Sequence, residues 1–538
     1  MADLAATQVL VEPASLLERK LTRRPSRMGR AVFLAALAVG LGYIAIHVAQ
    51  DLAPVRLDGH SAFILLGLTL AIALGFEFVN GFHDTANAVA TVIYTHSLEP
   101  RLAVVWSGVC NLAGVLLSSG AVAYSVIALL PVELVLKISS GAGFSMVFAL
   151  LVAAILWNLG TWWFGLPASS SHTLVGSIIG VGLANQWLNP HSGASGLDWD
   201  QAIKVLKALL ISPLVGFVLA ALLVLVSKWA FRFPELYEAP KNNEPPPWPI
   251  RALMVLTCTG VSFFHGSNDG QKGMGLIMLI LIGTVPAAYA LNHGLGPADL
   301  EQLLSASAQV QSILDRQPDA AAAPAADPRA ALAESVRIRQ LTPGTLANLD
   351  AVVHGLDHEL RQYSSLRDLP AAEQTQVRND MYVTSEALRL LDKEHMLRTT
   401  SADREALRRY RSSLSRATQF IPTWVKVAVA LALGLGTMVG WKRIVITVGE
   451  RIGKEHLTYA QGAAAGLVAM GTIFAADNFG LPVSTTHILS SGVAGSMAAN
   501  GSGLHLSTVR NIAAGWVLTL PAAALLAGIL YSLFRLIA

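Results

Sequence analysis

Stretches of about 20 predominantly apolar residues recur along this chain, and each is long enough to cross the hydrocarbon core of a bilayer, which is about 30 Å thick. Only 14% of the 538 residues are charged, against about a quarter in soluble proteins, which excludes a single water-soluble domain. The pattern predicts an all-α polytopic membrane protein. The clearest spans are 31–49, 61–79, 102–123, 143–164, 207–230, 250–264, 273–291, 421–440, 460–476 and 512–534.

Two shorter apolar stretches, 168–184 and 483–498, follow a proline and predict short spans or re-entrant segments. The first long stretch, 31–49, begins far from the start and lacks a small-residue cleavage site, so we expect a retained helix rather than a removed signal peptide.

Basic residues predict the orientation, because Lys-rich and Arg-rich loops stay in the cytoplasm. Residues 1–30 and the linkers 228–251 and 441–457 are basic, which predicts a cytoplasmic N-terminus. By the same reasoning residues 292–420, and the end of the last helix, lie outside. The basic residues of the first segment are Arg19, Lys20, Arg23, Arg24, Arg27 and Arg30.

Residues 292–420 differ in character from their surroundings. They are Ala/Pro-rich at 319–333 and then show charged helical patterns at 345–366, 372–396 and 401–418. They predict a small helical extracytoplasmic domain, either a solvated cap or an assembly surface, with ligand sensing as the lesser alternative. The net charge of +3 and the scattered basic residues predict no nucleic-acid partner, and Cys110 and Cys258 form no disulfide framework.

Two short sequences each occur twice. Gly165-Leu-Pro-Ala-Ser-Ser-Ser-His172 recurs as Gly480-Leu-Pro-Val-Ser-Thr-Thr-His487, and Asn80-Gly-Phe-His-Asp84 recurs as His265-Gly-Ser-Asn-Asp269. With the predicted orientation, these repeats indicate two inverted-topology halves with broken helices, the architecture that supports alternating access. The predicted units are 1–59 (N-terminus and an extra helix), 60–231 (first repeat), 232–249 (linker), 250–291 (start of the second repeat), 292–420 (insertion) and 421–538 (remainder of the second repeat).

The aspartate motifs place polar side chains along one face of an apolar helix. Such a face must point into the bundle, because a charged group at the bilayer centre costs about 3 kcal/mol or more. Hydrogen bonding between helices would explain the Asn and Thr residues well but a duplicated aspartate poorly. We therefore expect a cation or proton site. The surrounding glycines are expected to break the helix and so free backbone carbonyls as ligands. The candidate residues are Asn80, Asp84, Asn87, Asn111, Asn268, Asp269, Gln271 and Lys272, with Asp84 and Asp269 as candidate metal ligands. Thr91 lies on the same face, and His83 and His265 are as readily packing residues as proton carriers.

The Gly-Leu-Pro motifs place hydroxyls at the start of a helix, where amides are unpaired and the helix dipole favours anions. Two such ends from inverted halves would converge near the midplane as a cradle for a tetrahedral oxyanion. Close packing with ordinary capping is the alternative reading, and we expect His172 and His487 to brace the turns. The candidate phosphate-binding residues are Ser169, Ser170, Ser171, Ser484, Thr485 and Thr486.

An anion beside buried carboxylates requires accompanying positive charge. A proton on Asp84 or Asp269, a metal ion or Na⁺, or the ammonium of Lys272 could supply it. Our hypothesis is that Lys272, which stands where the first repeat has Asn87, occupies the place of one coupling cation. A structural pairing of Lys272 with Asp269 is compatible with that hypothesis.

The strings at 80–91, 265–273 and 480–487 resemble the signatures of the PiT family of inorganic phosphate transporters, in the version of bacterial low-affinity carriers. The resemblance covers about 60–291 and 421–538. It implies a secondary transporter in the bacterial inner membrane that imports phosphate, often as a neutral metal-phosphate complex, with protons and no resident cofactor. It matches Asp84, Asn87 and Asp269 to the family's ion site, and Ser169, Ser170, Ser484 and Thr485 to its phosphate site. A homo-oligomer is compatible with it.

One departure concerns coupling. Sodium-coupled relatives carry a glutamate in the helix after the first motif, where this sequence has Asn111. Together with Lys272, this substitution predicts proton coupling rather than sodium coupling. Glu77, one turn before Asn80, is an alternative proton carrier or a paired structural carboxyl.

Other functions remain open. Sulfate is the principal rival substrate, since hydroxyl donors bind both oxyanions. An intramembrane hydrolase could use Asp84 with Asp269, or an adjacent Ser-His pair, although a catalytic pair normally occurs once rather than in both repeats. A channel is less favoured, because the sequence has no repeated filter or charged-ring pattern.

Overall fold

The computed structural model describes residues 26–53, 60–130, 136, 141–189, 197–240, 244–317 and 322–537, with side chains left undescribed at 60–63, 85–87, 141–142, 343 and 537. Seven helices in these ranges are long and apolar enough to cross a membrane. The described ranges contain no β-strand, and an isolated bridge joins Gly453 to Leu504. The chain is therefore an all-α multi-pass membrane protein, as the sequence predicts.

The α-helices are, in chain order, α1 Arg27–Leu52, α2 His60–Tyr94, α3 Pro100–Leu117, α4 Ala121–Ile127, α5 Gly141–Trp163, α6 Ser170–Leu188, α7 Trp199–Ala230, α8 Trp248–Thr284, α9 Pro286–Tyr289, α10 Pro297–Asp315, α11 Pro328–Ile338, α12 Pro343–Leu360, α13 Ala371–Lys393, α14 Ser401–Thr418, α15 Thr423–Thr437, α16 Lys442–Ile446, α17 Tyr459–Asn478, α18 Thr485–Asn500 and α19 Leu506–Ile537.

Seven of the ten predicted long spans correspond to the seven long apolar helices. The predicted spans 250–264 and 273–291 are wrong as separate elements, because α8 runs without a break from Trp248 to Thr284. At 1.5 Å per residue its 37 residues are about 55 Å long. A single helix still places the linker before it and the insertion after it at opposite ends of the bundle.

The helices pack in two matched sets, as expected for duplicated halves. Helix α2 packs on α15, while α8, which carries the second aspartate motif, packs on α3. Helix α18 packs on α7, while α6 packs on α19. Each pairing joins one element of the first repeat to one of the second, so the two halves interlock rather than forming separate domains.

The aspartate motifs lie within continuous helices, and the prediction that their glycines break the helix is wrong. These glycines instead admit a neighbouring backbone. A Cβ on Gly81 would lie 2.3 Å from the Leu433 carbonyl oxygen, and one on Gly266 would lie 2.1 Å from that of Asn111. Since real Cβ atoms do not approach so closely, the glycines allow α2 to meet α15 and α8 to meet α3 at backbone distance.

The broken helices lie elsewhere, again once in each half. Helix α3 stops before Gly120, whose φ is +88°, and the short α4 follows. Helix α15 stops before Gly440, whose φ is +73°, and the short α16 follows. This left-handed conformation favours glycine and follows the end of each helix.

The insertion is helical, as predicted, and contains α10 to α14. The charged patterns predicted α12, α13 and α14, but α10 and α11 were missed, and residues 319–321 of the Ala/Pro-rich stretch lie outside the described residues. The helices surround their own apolar core, to which Val310, Val353 and Leu391 contribute. The Asn292 amide donates to the Ala417 carbonyl at 2.8 Å, which holds the two ends of the insertion together.

The predicted division into six units, the inverted orientation and the cytoplasmic start stay predictions. Of the basic N-terminal segment, residues 1–25 lie outside the described residues.

Candidate functional site

Each Gly-Leu-Pro motif forms a turn that leads directly into a helix. Gly165 and Gly480 have φ of +66° and +62°, a conformation that favours glycine. The Ser169 hydroxyl accepts a hydrogen bond from the His172 amide at 3.2 Å, and Ser484 accepts one from the His487 amide at 3.1 Å. These serines are therefore the N-caps of α6 and α18. Capping uses the hydroxyl oxygen as an acceptor.

The two turns meet in the bundle. The Ser171 hydroxyl donates to the Val483 carbonyl at 2.7 Å, and the rings of His172 and His487 lie 4.5 Å apart. His172 Nδ1 also lies 2.9 Å from the Ser169 hydroxyl, so this ring braces its turn. The helix starts of the two repeats thus share one buried region, and these hydroxyl-bearing residues are almost inaccessible to solvent.

From this meeting point α6 and α18 run to opposite ends of the bundle. At the far end of α6, Gly182 packs against Leu197, just before α7 begins. At the far end of α18, the Asn500 carbonyl accepts a hydrogen bond from Lys228, near the end of α7. Helix α7 has 32 residues and is about 48 Å long. The two helix ends therefore lie on opposite sides of the bundle.

Asp84 lies where the two turns meet and is 3% exposed. Its carboxylate accepts hydrogen bonds from the Ser170 hydroxyl and, at 2.6 Å, from the Thr486 hydroxyl. His83 Nδ1 lies 3.0 Å from the same carboxylate, and His83 Nε2 lies 3.1 Å from the Thr161 hydroxyl. One carboxylate thus joins the first aspartate motif to both Gly-Leu-Pro motifs.

Asp269, the repeat partner of Asp84, pairs with a buried lysine. Lys272 Nζ lies 2.7 Å from Asp269 Oδ1 and donates to the Ser171 hydroxyl at 2.5 Å. Lys272 is inaccessible to solvent, and Asp269 is 1% exposed. The ammonium therefore links the second aspartate motif to the start of α6, where we predict that the anion binds.

Three buried side chains converge as a group that could hold a cation. One ligand atom each from Asp84, His265 and Asp269 lies within 4.8 Å of the others. Carboxylate oxygens with an imidazole nitrogen suit a divalent transition metal, and the carboxylates alone also suit a proton or Na⁺. The sequence singled out both aspartates as metal ligands and left the role of His265 open.

Glu77 and Asn80 extend this polar region along α2. Glu77 is inaccessible to solvent, and the Asn80 side-chain amide lies 3.5 Å from Glu77 Oε2. A Cβ on Gly273 would lie 2.4 Å from Glu77 Oε1, so this carboxyl group lies against α8 beside Lys272.

Two residues of the second motif contact the second turn instead of the cation group. The Asn268 amide donates to the Leu481 carbonyl at 3.1 Å. The Gln271 amide donates to Asp477 Oδ1 at 2.7 Å, and its oxygen accepts from the Val122 amide at 2.9 Å. Both side chains position the Gly-Leu-Pro turn of the second repeat. Asp477 was missed by sequence reasoning, although it is a carboxylate three residues before Gly480.

Asn111 lies between the halves. Its oxygen lies 2.7 Å from His265 Nδ1, and its amide donates to the Thr437 hydroxyl at 3.3 Å. Asn111 therefore positions the ring of His265, which belongs to the cation group. The side chain of Asn87 lies outside the described residues.

Several buried polar atoms at these motifs have no hydrogen-bond partner among the described residues. Buried polar groups are normally paired, so such a concentration indicates a region that binds a polar ligand, an ion or water. Thr485, a candidate phosphate residue, is among them. The atoms are Glu77 Oε1, Asn80 Oδ1, His265 Nε2, Asp269 Oδ2, Thr485 Oγ1, His487 Nε2 and Ser490 Oγ.

Comparison with known proteins identifies the family of this chain. Residues 80–527 match the family described as "Phosphate transporter family". The chain belongs to the phosphate transporter family. The low-affinity inorganic phosphate transporter PitA of Escherichia coli K12 is 41% identical over 492 residues, covering 88% of this chain and 97% of PitA. The low-affinity inorganic phosphate transporter PitB of the same organism is 40% identical over 490 residues, covering 89% of this chain and 98% of PitB.

The similarity extends to more distant members of the phosphate transporter family. A probable low-affinity inorganic phosphate transporter of Bacillus subtilis is 28% identical over 478 residues, covering 88% of this chain and 99% of that protein. A solved structure described as the sodium-dependent phosphate transporter aligns with 88% of this chain and all of its own at 16% identity, with a TM-score of 0.48, a likeness too weak to carry an argument. The relatives are named as transporters rather than enzymes, and the matched residues include all four motifs.

Proposed function

We propose that the protein is a secondary active transporter that imports inorganic phosphate by proton symport through alternating access. The observation that carries this proposal is the position of Asp84, which accepts hydrogen bonds from both Ser170 and Thr486. A change in the charge of Asp84, by proton or metal binding, changes its hold on the two hydroxyls. Those hydroxyls then become available as donors to an anion, so cation binding and phosphate binding are linked at shared atoms.

Phosphate binds at the starts of α6 and α18, with hydroxyl groups from both repeats as donors. A helix start carries partial positive charge and unpaired amides, which favours a tetrahedral oxyanion. The Thr485 hydroxyl has no hydrogen-bond partner among the residues that the structure describes, and Lys272 adds a full positive charge through its contact with Ser171. The donors predicted from sequence are therefore kept: Ser169, Ser170, Ser171, Ser484, Thr485 and Thr486.

Proton coupling is favoured over sodium coupling by the charges around the cation group. Lys272 already places a cation beside Asp269, and Asn111 contributes a neutral oxygen that contacts His265. Because the lysine already neutralises one carboxylate, this carrier needs a bound Na⁺ less than a carrier that lacks the lysine. The proton is carried by Asp84 or Asp269, with Glu77 as the alternative carrier. His265, Asp84 and Asp269 also accommodate a divalent metal travelling as part of a metal-phosphate cargo.

We place the protein in the bacterial inner membrane, with its start in the cytoplasm and the insertion outside. The basic linkers before α8 and after α16 support this orientation.

The substrate is tested by competition during phosphate uptake into proteoliposomes. Arsenate keeps a proton near neutral pH, as phosphate does, and that proton can donate to a carboxylate such as Asp84, whereas sulfate has none to donate. We expect arsenate to inhibit phosphate uptake and sulfate at the same concentration to leave it unchanged. Inhibition by sulfate with none by arsenate would contradict phosphate selectivity and favour a sulfate permease.

A further inference from the structure

A cavity of about 380 Å³ lies between the insertion and the membrane bundle. Its walls come from α4, from the start of α7, from α13 of the insertion and from the residues just before the second Gly-Leu-Pro turn. Six of its lining residues are Ser125, Gln201, Lys204, Glu386, Arg389 and Gly480. Pockets for small molecules usually measure about 300–1,000 Å³, so the cavity is large enough for a hydrated phosphate ion.

Ion pairs hold the insertion over this cavity. Asp198, which caps α7 by accepting from the Gln201 amide at 2.9 Å, lies 2.5 Å from Arg339 and 3.1 Å from Arg389. Both arginines belong to the insertion. Asp200, two residues further on, pairs with Lys393 of α13. The insertion is thereby attached to the same helix that supplies Lys204.

The charged side chains that line the cavity are two acids and two bases, and Lys204 is the base among them that forms no ion pair with a described residue. Asp198 and Glu386 are the acidic lining residues, and Arg389 pairs with both of them. Arg339 adds a second positive charge to Asp198. Lys204 lies on the exposed side of α7 and lines the cavity in addition to these paired groups. A small anion can therefore pair with the ammonium of Lys204, but weakly, because exposed charges are screened by water and salt.

The floor of the cavity belongs to the second phosphate motif. Gly480 lines the cavity and lies four residues before Ser484, the cap of α18. The neighbouring Asp477 accepts from Ser267 and Gln271, both at 2.7 Å, and these residues flank the Asp269 motif. An anion in the cavity is thus separated from the candidate site by this one turn.

We propose that this cavity is a vestibule that binds inorganic phosphate before it passes to the site between the repeats, and that the insertion forms one of its walls. This inference rests on the proposed phosphate transport. It assigns to the insertion a part in substrate capture, which its sequence did not suggest.

The first test compares Lys204→Gln with Lys207→Gln. Both lysines are exposed on α7, but Lys207 does not line the cavity, so the control removes the same charge one turn away. We expect Lys204→Gln to raise the KM for phosphate about threefold to tenfold at low salt with an unchanged maximal rate, and the difference to shrink at high salt. Both variants are reconstituted into vesicles of neutral phosphatidylcholine. A difference between them then cannot come from a lost contact between Lys204 and an anionic lipid headgroup. Equal KM values for the two variants would overturn the proposal.

The second test measures occupancy without transport. Cys110 and Cys258 are buried, so a cysteine introduced as Ser125→Cys provides a cavity thiol whose reaction with a water-soluble thiol reagent can be followed. We expect inorganic phosphate to slow this reaction, to do so also in the Asp84→Asn background, and to lose the effect with Lys204→Gln.

Protection that disappears with Asp84→Asn would locate phosphate at the inner site alone and refute the vestibule. Absence of protection in all variants would refute it as well. If the unmodified protein transports no phosphate, the proposed function fails first, which is a separate and distinguishable result.

Discussion

The carboxylate of Asp84 accepts a hydrogen bond from the hydroxyl of Thr486 at 2.6 Å, across 402 positions of the chain. Asp84 belongs to the aspartate motif of the first repeat, and Thr486 to the hydroxyl motif of the second. Two motifs that are remote in sequence therefore meet at one buried carboxylate. A bound cation and a bound anion at this place would compete for, or share, the same hydrogen bonds.

Removal of the hydroxyls that donate to Asp84 is expected to impair uptake. Loss of one hydrogen bond to a buried charge costs about 1.5–3 kcal/mol, so Ser170→Ala or Thr486→Val should lower the rate of phosphate uptake about tenfold or more. Ser177→Ala is the control, because Ser177 is buried on α6 and its hydroxyl donates to the Thr173 carbonyl. Initial rates in proteoliposomes check this prediction. Equal rates for Ser170→Ala and Ser177→Ala would remove Ser170 from the site.

Replacement of the buried lysine is expected to change the ion requirement. Lys272→Asn removes the ammonium between Asp269 and Ser171 and restores the residue type found at the matching position of the first repeat. The uncompensated carboxylate should then need an added cation, so we expect uptake by the variant to become stimulated by Na⁺. Lys426→Asn is the comparison variant, since Lys426 donates to the Ser118 carbonyl away from the aspartates. Unchanged uptake and unchanged ion dependence in Lys272→Asn would show that the lysine replaces no coupling cation.

Glycines at the helix crossings are expected to be intolerant of any side chain. Gly81→Ala and Gly266→Ala force a Cβ to within 2.3 Å and 2.1 Å of a neighbouring carbonyl oxygen. Such overpacking typically costs about 1–3 kcal/mol, so both variants should melt at a lower temperature in detergent. Gly160→Ala and Gly471→Ala are matched controls, because a Cβ at either position meets no atom within 4 Å. If all four variants melted at the same temperature, the close backbone contacts at Gly81 and Gly266 would be contradicted.

The attachment of the insertion is expected to depend on Asp198 at all physiological pH values. Burial alone would raise the pKa of Asp198, but hydrogen bonds from Arg339 and from the Gln201 amide, with the charges of Arg339 and Arg389, hold that pKa below its usual value. Folding lowers the pKa of Asp198, so the ionised carboxylate stabilises the folded state. This stabilisation is complete above the unfolded pKa of about 3.9 and is lost as the pH falls through the folded pKa.

Asp198→Asn should therefore loosen the insertion to the same degree at pH 6 and pH 8. Hydrogen–deuterium exchange of residues 371–393, corrected for the intrinsic rate at each pH, should rise in Asp198→Asn and stay unchanged in the control Glu301→Gln, which alters an exposed carboxylate of α10. An increase confined to one of the two pH values would contradict this role of Asp198.

The long apolar stretches were sufficient to predict the helical class, the change in composition to predict the insertion, and the duplicated strings to find the four motifs, because each of these signals is expressed by a short segment. The continuity of α8 was not predictable, because its polar centre, His265 to Lys272, resembles a break when hydropathy alone is read. The hydrogen-bond partners of Gln271 could not be predicted from the sequence either, because Asp477 and Val122 lie far away in the chain and reach Gln271 only through helix packing. His265 joined the cation group for the same reason, through Asn111 of a helix in the other repeat.

Phosphate uptake into proteoliposomes under an imposed pH gradient, without Na⁺, tests the central claim most directly. We expect inward proton flow to drive phosphate accumulation, a protonophore to abolish it, and Asp84→Asn to eliminate it while the protein remains folded. Accumulation driven by a Na⁺ gradient alone, with no response to the pH gradient, would contradict the account.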